Sequence, residues 1–182
     1  MIVKLFGRAI SILVIVLASA VVPACNSDKE VTSGASPAYQ QLLRTLYSGT
    51  VRVIQPAALA DLLRQKPESV VVLDTRTPAE YAVSHLRGAR FVNFDSLAKA
   101  DFSAVPRNRT VVVYCSVGYR SEKAGERLKA LGFKDIRNLY GGIFEWVNEG
   151  LPVYNQQGPT VNVHPYSPIW CPWLKRGNPV YE

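Results

Sequence analysis

Short apolar runs alternate with amphipathic stretches through the middle of the chain. The runs Val70–Asp74 and Thr110–Tyr114 are rich in valine and have the composition of buried strands. Three further strands are predicted at Val51–Ile54, within Ala89–Phe94 and at Asp135–Leu139. Strands of this length separated by helices predict an α/β fold, with a mostly parallel sheet covered on both faces.

The stretches between the strands carry helix signals. Pro56–Arg64 and Pro78–Val83 begin with proline, a favoured first residue of a helix, and Thr77 is placed to cap the second. Gly132 is placed to end a later helix. The other predicted helices are Pro37–Tyr47, Ser121–Leu131 and Gly142–Asn148.

An apolar leader precedes this pattern. Its sequence, MIVKLFGRAISILVIVLASAVVPAC, has a basic start and an apolar core from about Ala9 to Val22. This core is short for a membrane span, which needs roughly 20 apolar residues, and it fits a secretory signal peptide. The predicted organisation is a signal peptide at 1–24, a tether and lead-in helix at 25–50, one domain at 51–153 and a C-terminal tail at 154–182.

The leader ends in Val22-Pro23-Ala24-Cys25, which resembles the lipobox of bacterial lipoproteins. In that motif a lipid is attached to the cysteine, so the resemblance implies lipidation of Cys25 as the new N-terminus and attachment to a membrane. Pro23 departs from the small or β-branched residue usual there. The alternatives are ordinary signal peptidase cleavage after Ala20 or Ala24 and a retained anchor. The predicted location is the periplasm or cell envelope after export.

The composition limits the classes of partner. The chain has a formal net charge of +7, and because Lys4 and Arg8 lie in the leader, the remainder carries about +5. This charge favours a small anionic ligand or an acidic partner. A nucleic-acid partner is not expected, because the basic residues are scattered and form no aromatic-and-basic RNA motif. No cofactor is expected, and His85 lacks the spacing to another ligand residue that a metal site needs.

The stretch YCSVGYRS, residues 114–121, is the strongest chemical signal. Asp74 and Cys115 fall at the carboxyl ends of predicted strands, at the sheet edge where ligands of parallel sheets bind. A helix beginning near Ser121, which could cap it, would present free N–H groups and a positive dipole end to the cysteine. Gly118 permits a tight turn and Arg120 adds a permanent positive charge. These features favour the thiolate of Cys115, although an inert buried cysteine beside a plain turn is the alternative.

Three blocks of the chain resemble the signature of the rhodanese family. They are VVLDTRTPAEYAVSHLRGARFVNF (71–94), CSVGYRS (115–121) and LYGGIFEWVNEGLPV (139–153), in the family's order. The resemblance covers about Val51 to Val153. It implies a rhodanese-like three-layer α/β sandwich with a five-stranded, mostly parallel sheet.

The resemblance also implies a sulfurtransferase. Cys115 would take the outer sulfur of a small anionic donor such as thiosulfate as a persulfide, and pass it to a thiol or cyanide-like acceptor. Asp74, Arg76 and His85 would support the loop, with Arg76 also a second substrate contact, whereas Glu80 is interpreted as scaffold. The implied substrate-binding residues are Ser116, Val117, Gly118, Tyr119, Arg120 and Ser121.

Two other functions fit the same loop. A cysteine phosphatase or arsenate reductase uses a related cradle, but commonly with five residues between its cysteine and arginine. Only four separate Cys115 from Arg120, and such a loop suits one sulfur atom better than a phosphate group. The second alternative is a sulfur carrier or rhodanese-like binding module without turnover, although such modules often lack the cysteine.

The tail at 154–182 lies outside the resemblance. Its proline and aromatic residues predict neither a regular helix nor a regular strand, and we expect it to pack over the domain. A lid or a docking segment for an unknown protein partner is the alternative. Cys171 lies in the tail, and the sequence leaves open whether it forms a disulfide with Cys115 or stays a packed or partner-linked thiol.

Overall fold

A computed structural model describes residues 34–181, so the predictions for the leader and Cys25 lie outside the described residues. The central sheet has five strands, and all of its strand pairs are parallel, which confirms the predicted fold class. These strands are β1 (Arg52–Ile54), β2 (Val70–Asp74), β3 (Arg90–Phe91), β4 (Thr110–Tyr114) and β5 (Ile136–Leu139). Their order across the sheet is β1-β5-β4-β2-β3, which places β4 at the centre.

Five α-helices connect or flank the strands in the part of the chain described. They are α1 (Pro37–Leu46), α2 (Pro56–Gln65), α3 (Pro78–Val83), α4 (Tyr119–Ala130) and α5 (Gly142–Asn148). The predicted cap at Thr77 is confirmed as a reciprocal capping box with Glu80. Gly132 adopts a left-handed φ of +87° just after α4, as predicted. Within residues 34–181, no helix combines the length and the apolar character needed to cross a membrane.

The sheet is buried on both faces because alternate side chains of its central strands point in opposite directions. Val70 and Val72 of β2 belong to the cluster that α1, α2 and α5 cover. Val71 and Leu73 belong to the cluster on the other face, where Leu128 of α4 packs. Every residue of β2 is buried, which explains why its sequence reads as a continuous apolar run ending in aspartate.

A buried ion pair holds the carboxyl end of β2. Asp74 accepts hydrogen bonds from Arg76 at 2.9 and 2.7 Å, and both side chains are fully buried. The hydroxyl of Tyr114, the last residue of β4, donates to the same carboxylate at 2.6 Å. Arg76 also donates to the carbonyl of Ser84, beyond α3. One carboxylate therefore joins two central strands to the segment that follows α3.

The C-terminal tail forms short strands, so the prediction of no regular strand there is wrong. β6 (Val153–Asn155) pairs antiparallel with β7 (Gly158–Thr160), and β8 (Asn162–Val163) pairs with β9 (Asn178–Pro179). The backbone satisfies its own hydrogen bonds in these pairs despite the prolines, which sit at strand ends or edges. The tail packs on the domain: its Trp173 ring stacks on Tyr39 of α1, with the ring centroids 5.4 Å apart.

We predict that Asp74→Ala lowers the free energy of unfolding by about 3–5 kcal/mol, because it leaves Arg76 buried without its counter-charge. Urea denaturation followed by circular dichroism measures this change. Asp61→Ala is the control, because Asp61 pairs with Arg64 on the surface, where both side chains are more than half exposed. Its cost should be much smaller. Equal losses in the two variants would contradict the assignment.

Candidate active site

Cys115 lies directly after β4, at the floor of a pocket of about 300 Å³. The residue is only 1% exposed, and it is one of the residues that line this pocket. The segment that follows lines the pocket with Ser116, Val117, Tyr119 and Arg120. The remaining lining residues are Phe94 and Asp95, after β3, and Tyr166 and Trp170 of the tail.

Gly118 gives the loop its tight path around the sulfur. Its backbone N–H donates to Sγ of Cys115 with an N–S distance of 3.1 Å. Its φ is +108°, and a Cβ added there would lie 2.1 Å from the hydroxyl oxygen of Tyr47. Both the backbone conformation and the close approach of Tyr47 therefore require glycine.

Helix α4 begins at Tyr119, with Gly118 as its N-cap, and not at Ser121. The predicted capping role of Ser121 is therefore wrong, because a residue in the left-handed region already makes the turn. The hydroxyl of Ser121 instead lies 2.7 Å from Oδ1 of Asn138 and 3.1 Å from the carbonyl oxygen of Gly118. The earlier start brings the free N–H groups of the first helical turn closer to Cys115.

Arg120 is bound by a buried carboxylate beside the pocket. Its Nη1 and Nη2 donate to the two oxygens of Glu80 at 2.8 and 2.6 Å. The hydroxyl of Ser116 donates to the same carboxylate at 2.6 Å. Glu80 thus ties the beginning of the loop to its end. Sequence reasoning assigned Glu80 to the scaffold and missed this contact, although its capping box with Thr77 marked it as an ordered residue.

The ion pair fixes the charge of both partners. Burial alone would raise the pKa of Glu80, but the hydrogen bonds and charge of Arg120, with Arg76 and Ser116, lower that pKa to about 2. Burial opposes the charge of Arg120, but its hydrogen bond to Glu80 raises the arginine pKa overall. Both side chains are therefore ionised at neutral pH, and the positive charge of Arg120 is matched by a negative one.

The start of α5 holds the loop from the other side. Its backbone N–H groups at Ile143 and Phe144 donate to the carbonyls of Cys115 and Ser116 at 2.9 and 3.2 Å. Gly142 has a φ of +59°, and a Cβ added to it would lie 2.3 Å from the carbonyl oxygen of Cys115. Only glycine allows this close approach.

Tyr47, which follows α1, connects the same elements. Its hydroxyl donates to the carbonyl of Val117 at 2.8 Å and accepts from the N–H of Gly141 at 2.9 Å. Glu122 of α4 accepts from the backbone N–H groups of Ser48 and Thr50, each at 2.8 Å. The lead-in helix is therefore part of the support of the loop, a role that no local pattern in the sequence indicated.

The three predicted supporting residues lie outside the pocket lining. Asp74 and Arg76 anchor the adjacent strand end, but Arg76 is fully buried, so its predicted role as a second substrate contact is wrong. His85 also differs from the prediction. Its ring stacks on Tyr81 with centroids 4.0 Å apart, and its backbone pairs with Tyr154, so its described contacts are not with the loop.

The tail contributes directly to the pocket. The guanidinium carbon of Arg120 lies 4.6 Å from the ring centroid of Tyr166, a cation–π contact. Cys171 is a free thiol, as is Cys115, and its Sγ lies 3.3 Å from the hydroxyl of Tyr181. The disulfide between Cys115 and Cys171 that the sequence left open is therefore not formed in this structure.

Comparisons with known proteins match the middle of the chain to one family model. The family model described as the rhodanese-like domain matches residues 55–149. A sulfurtransferase of Allochromatium vinosum is 37% identical over 91 residues, which cover 50% of this chain and 84% of that protein. The probable adenylyltransferase/sulfurtransferase MoeZ of Mycobacterium tuberculosis is 32% identical over 100 residues, which cover 54% of this chain and 25% of MoeZ.

Solved structures agree with these sequence matches. A rhodanese-related protein from Thermoplasma volcanium has a TM-score of 0.50 and 30% identity, covering 56% of this chain and 96% of its own. A thiosulfate sulfurtransferase from Pseudomonas aeruginosa has a TM-score of 0.51 and 30% identity, covering 58% of this chain and 19% of that one. The family model ends at residue 149, so the whole tail, residues 154–182, lies outside its match.

We predict that the contribution of Glu80 to stability is lost in acid. A carboxylate with a lowered pKa stabilises the folded state above its ordinary value of 4.5, and this contribution falls as the pH drops from 4.5 toward about 2. The difference between the two values corresponds to roughly 3 kcal/mol. The measurement is the free energy of unfolding in urea at several pH values, for the native chain and Glu80→Gln.

The two chains should differ most near neutral pH and converge at the lowest pH. Glu68→Gln, which removes an exposed carboxylate outside the pocket, serves as the matched control and should run parallel to the native chain. A difference between native and Glu80→Gln chains that stays constant from pH 6 to pH 2.5 would refute the role of the ionised carboxylate.

Proposed function

Since the chain belongs to the rhodanese-like domain family, we propose that it is a sulfurtransferase that carries sulfane sulfur on Cys115. The donor would be a compound such as thiosulfate, and the acceptor a thiol or a cyanide-like nucleophile. The observation that carries the proposal is the geometry of the loop. The N–H of Gly118 points at Sγ of Cys115, directly before the first turn of α4, at the floor of a pocket.

The chemistry has two balanced steps. The thiolate of Cys115 attacks the outer sulfur of thiosulfate, an S–S bond forms, and the donor's S–S bond breaks with its electron pair leaving on sulfite. Cyanide or a thiolate then attacks the outer sulfur of the persulfide, and the electron pair of that S–S bond returns to Cys115. With cyanide as the acceptor, the product is thiocyanate, and no external oxidant or reductant is needed.

The surroundings suit an anionic sulfur in both steps. Backbone N–H groups of the loop and of the first turn of α4 provide donors that need no rearrangement during the reaction. Arg120 closes the loop through Glu80 and Ser116, so we assign it a positioning role as well as an electrostatic one. Asp74 acts at a greater distance, by fixing the end of β4 through Tyr114.

A phosphatase fits these contacts less well. An arginine in such an enzyme must offer its donors to phosphate oxygens, whereas two donors of Arg120 are held by Glu80. A binding module without turnover is the more substantial rival. The presence of a cysteine with a backbone donor aimed at its sulfur favours catalysis, because binding alone does not need that thiol.

We predict that the purified protein forms thiocyanate from thiosulfate and cyanide. Cys115→Ser should lower the rate at least 100-fold, because the persulfide can no longer form. Cys171→Ser, which removes the other described thiol but none of the pocket lining, should retain the native rate. The colour of the ferric thiocyanate complex gives the measurement.

Each rival predicts a different outcome. Formation of thiocyanate at equal rates by the native chain and Cys115→Ser would exclude the proposed nucleophile. A stable persulfide on Cys115 with no turnover would favour the sulfur carrier. Hydrolysis of a phosphate ester that depends on Cys115, in the absence of sulfur transfer, would favour the phosphatase.

We also propose that residues 1–24 direct export and that a lipid on Cys25 holds the protein at a membrane of the cell envelope. The support is the basic and apolar leader that ends in a lipobox-like sequence. A lipid anchor would leave the catalytic domain outside the cytoplasm, where exported thiols meet oxidising conditions. The domain would then act on substrates of that compartment.

The anchor can be tested in a bacterium that processes lipoproteins. We expect the native chain in the membrane fraction, and Cys25→Ser in the soluble fraction or as an uncleaved precursor, because serine cannot form the thioether to the lipid. Mass spectrometry of the N-terminal peptide identifies the lipid. Membrane association of Cys25→Ser equal to that of the native chain, with no lipid on the native peptide, would contradict the proposal and favour a retained anchor.

A further inference from the structure

Tyr166, which lines the pocket over Cys115, has an unusual backbone conformation. Its φ of +65° is the only positive φ of a residue other than glycine between residues 34 and 181. The N–H of Ser167 donates to the carbonyl of Pro165 at 2.8 Å and closes a three-residue turn around Tyr166. Turns of this kind with a positive φ at the centre are rare and strained, so other contacts must hold this one in place.

The imidazole of His164 provides such a contact. Its Nδ1 accepts a hydrogen bond from the backbone N–H of Tyr166, with an N–N distance of 2.9 Å. Because a backbone N–H can only donate, Nδ1 must carry a lone pair and no proton. His164 is therefore neutral, with its ring proton on Nε2. The residue is 8% exposed and directly follows β8, in the tail beyond the match to the family model.

The ring of Tyr166 extends this local arrangement into the pocket. Its centroid lies 4.6 Å from the guanidinium carbon of Arg120, and Glu80 binds the same guanidinium through two hydrogen bonds. Arg120 therefore has both a carboxylate and an aromatic ring as partners. Tyr166 is 55% exposed, so side-chain packing holds it only in part, and the turn beside His164 determines where its ring lies.

The surroundings of His164 oppose its protonation on balance. Burial lowers its pKa below the ordinary value of 6.5, and the positive charge of Arg76 lowers it further, whereas the negative charge of Glu80 and backbone hydrogen bonds raise it. The ring of Tyr181 contacts the imidazole, with the ring centroids 5.4 Å apart. Glu80 has a pKa of about 2, so it stays ionised in mildly acidic solution and does not titrate together with His164.

We propose that His164 is a positioning residue of the active site: its neutral imidazole holds Tyr166 against Arg120, and its protonation releases Tyr166 and opens the pocket. A protonated imidazole carries an N–H at both ring nitrogens, so Nδ1 would face the N–H of Tyr166 as a second donor. The strained turn would then lose the hydrogen bond that holds it. The consequence for catalysis rests on the proposed sulfurtransferase function, whereas the control of the pocket by His164 does not.

The release of Tyr166 occurs on the acid side of neutrality. The ordered turn requires a neutral imidazole, so it binds fewer protons than the released form. Its population is therefore full above the ordinary histidine pKa of 6.5 and falls as the pH drops below that value. In acid the pocket should be more open, and Arg120 should lose its aromatic partner.

Three substitutions separate the hydrogen bond from the charge. His164→Asn keeps an acceptor, because an asparagine oxygen bonds the N–H two residues further on, but this side chain does not titrate. His164→Leu removes the acceptor at every pH. His85→Asn is the matched control, because it removes the second of the two histidines of the chain. The described contacts of His85 are with Tyr81 and Tyr154, and it does not line the pocket.

The opening of the pocket is measured by the rate at which iodoacetamide, a small uncharged reagent, alkylates Cys115 between pH 5 and pH 8. Mass spectrometry of the peptide that contains Cys115 follows the reaction. Dividing the native rate by that of His164→Asn at the same pH removes the direct effect of thiol ionisation. We expect this ratio to be about 1 at pH 8 and about 3 or more at pH 5. His85→Asn should match the native chain, and His164→Leu should react fast already at pH 8.

Nitrogen NMR of the imidazole tests the protonation state directly. In His85→Asn, prepared without a polyhistidine tag, His164 is the only histidine, so its ring signals are identified at once. We expect a neutral ring with its proton on Nε2 at pH 8, and protonation with a pKa below 6.5. A neutral ring with its proton on Nδ1 would overturn the proposal.

The outcomes separate this inference from the function beneath it. A ratio of native to His164→Asn alkylation rates that stays constant from pH 5 to pH 8 would overturn the role of His164 and leave the sulfurtransferase standing. Where the ratio rises in acid, the loading of sulfur on Cys115 from thiosulfate should fall in the native chain relative to His164→Asn, as intact mass shows. Equal loading in the two chains would overturn the positioning role. An acid-opened pocket in chains that load no sulfur at any pH would support His164 as the control of the pocket and overturn the sulfurtransferase.

Discussion

The buried contact between Glu80 and Arg120 is the interaction on which the candidate active site depends. It joins α3, on one side of the sheet edge, to the first turn of α4, and it takes Ser116 into the same hydrogen-bonded group. An isolated charge at this depth would be costly, so each partner requires the other. Because Ser116 and Arg120 flank the turn at Gly118, the ion pair sets the path of the backbone whose N–H faces the sulfur of Cys115. Arg120 is the only cation among the described residues that line the pocket, and the carboxylate of Glu80 balances its charge. The ion pair therefore influences which substrates fit.

Close backbone packing also holds the loop that follows Cys115. The N-terminus of α5 donates to the carbonyls of Cys115 and Ser116 and so holds the start of the loop, while the N–H of Gly118 donates to the sulfur of Cys115. This approach is short enough that Gly142 cannot carry a side chain, and Tyr47 comes equally close to Gly118. The rigid sheet, the two glycines and the buried carboxylate together hold a small loop in one conformation. Such preorganisation is what a site acting on a developing sulfur anion requires.

The sequence predicted the parts of this structure that depend on local patterns. Valine-rich strands such as Val70–Asp74 and the capped helix after Thr77 have short-range signals, and the loop at Cys115 has a composition that indicates its chemistry. It did not predict the partners that meet only after folding. Glu80 lies 40 residues from Arg120 and Tyr47 lies 70 residues from Val117. Contacts between residues so far apart produce no periodic pattern in the sequence. The position of Tyr166 in the pocket was not predicted for the same reason. Tyr166 lies between the short strands β8 and β9, which pair only after folding. For His85 and Arg76 the sequence predicted too much. Their positions in the motif suggested that His85 contacts the loop and that Arg76 contacts the substrate, and the folded chain shows neither contact.

The central claim is that Cys115 carries the transferred sulfur as a persulfide. Intact mass spectrometry of the purified protein after incubation with a sulfur donor, without acceptor or reductant, tests it most directly, with Cys115→Ser measured beside it. The account predicts a gain of one sulfur atom that requires Cys115 and disappears when cyanide is added. A folded protein with a free Cys115 thiol that gains no sulfur from thiosulfate would contradict it.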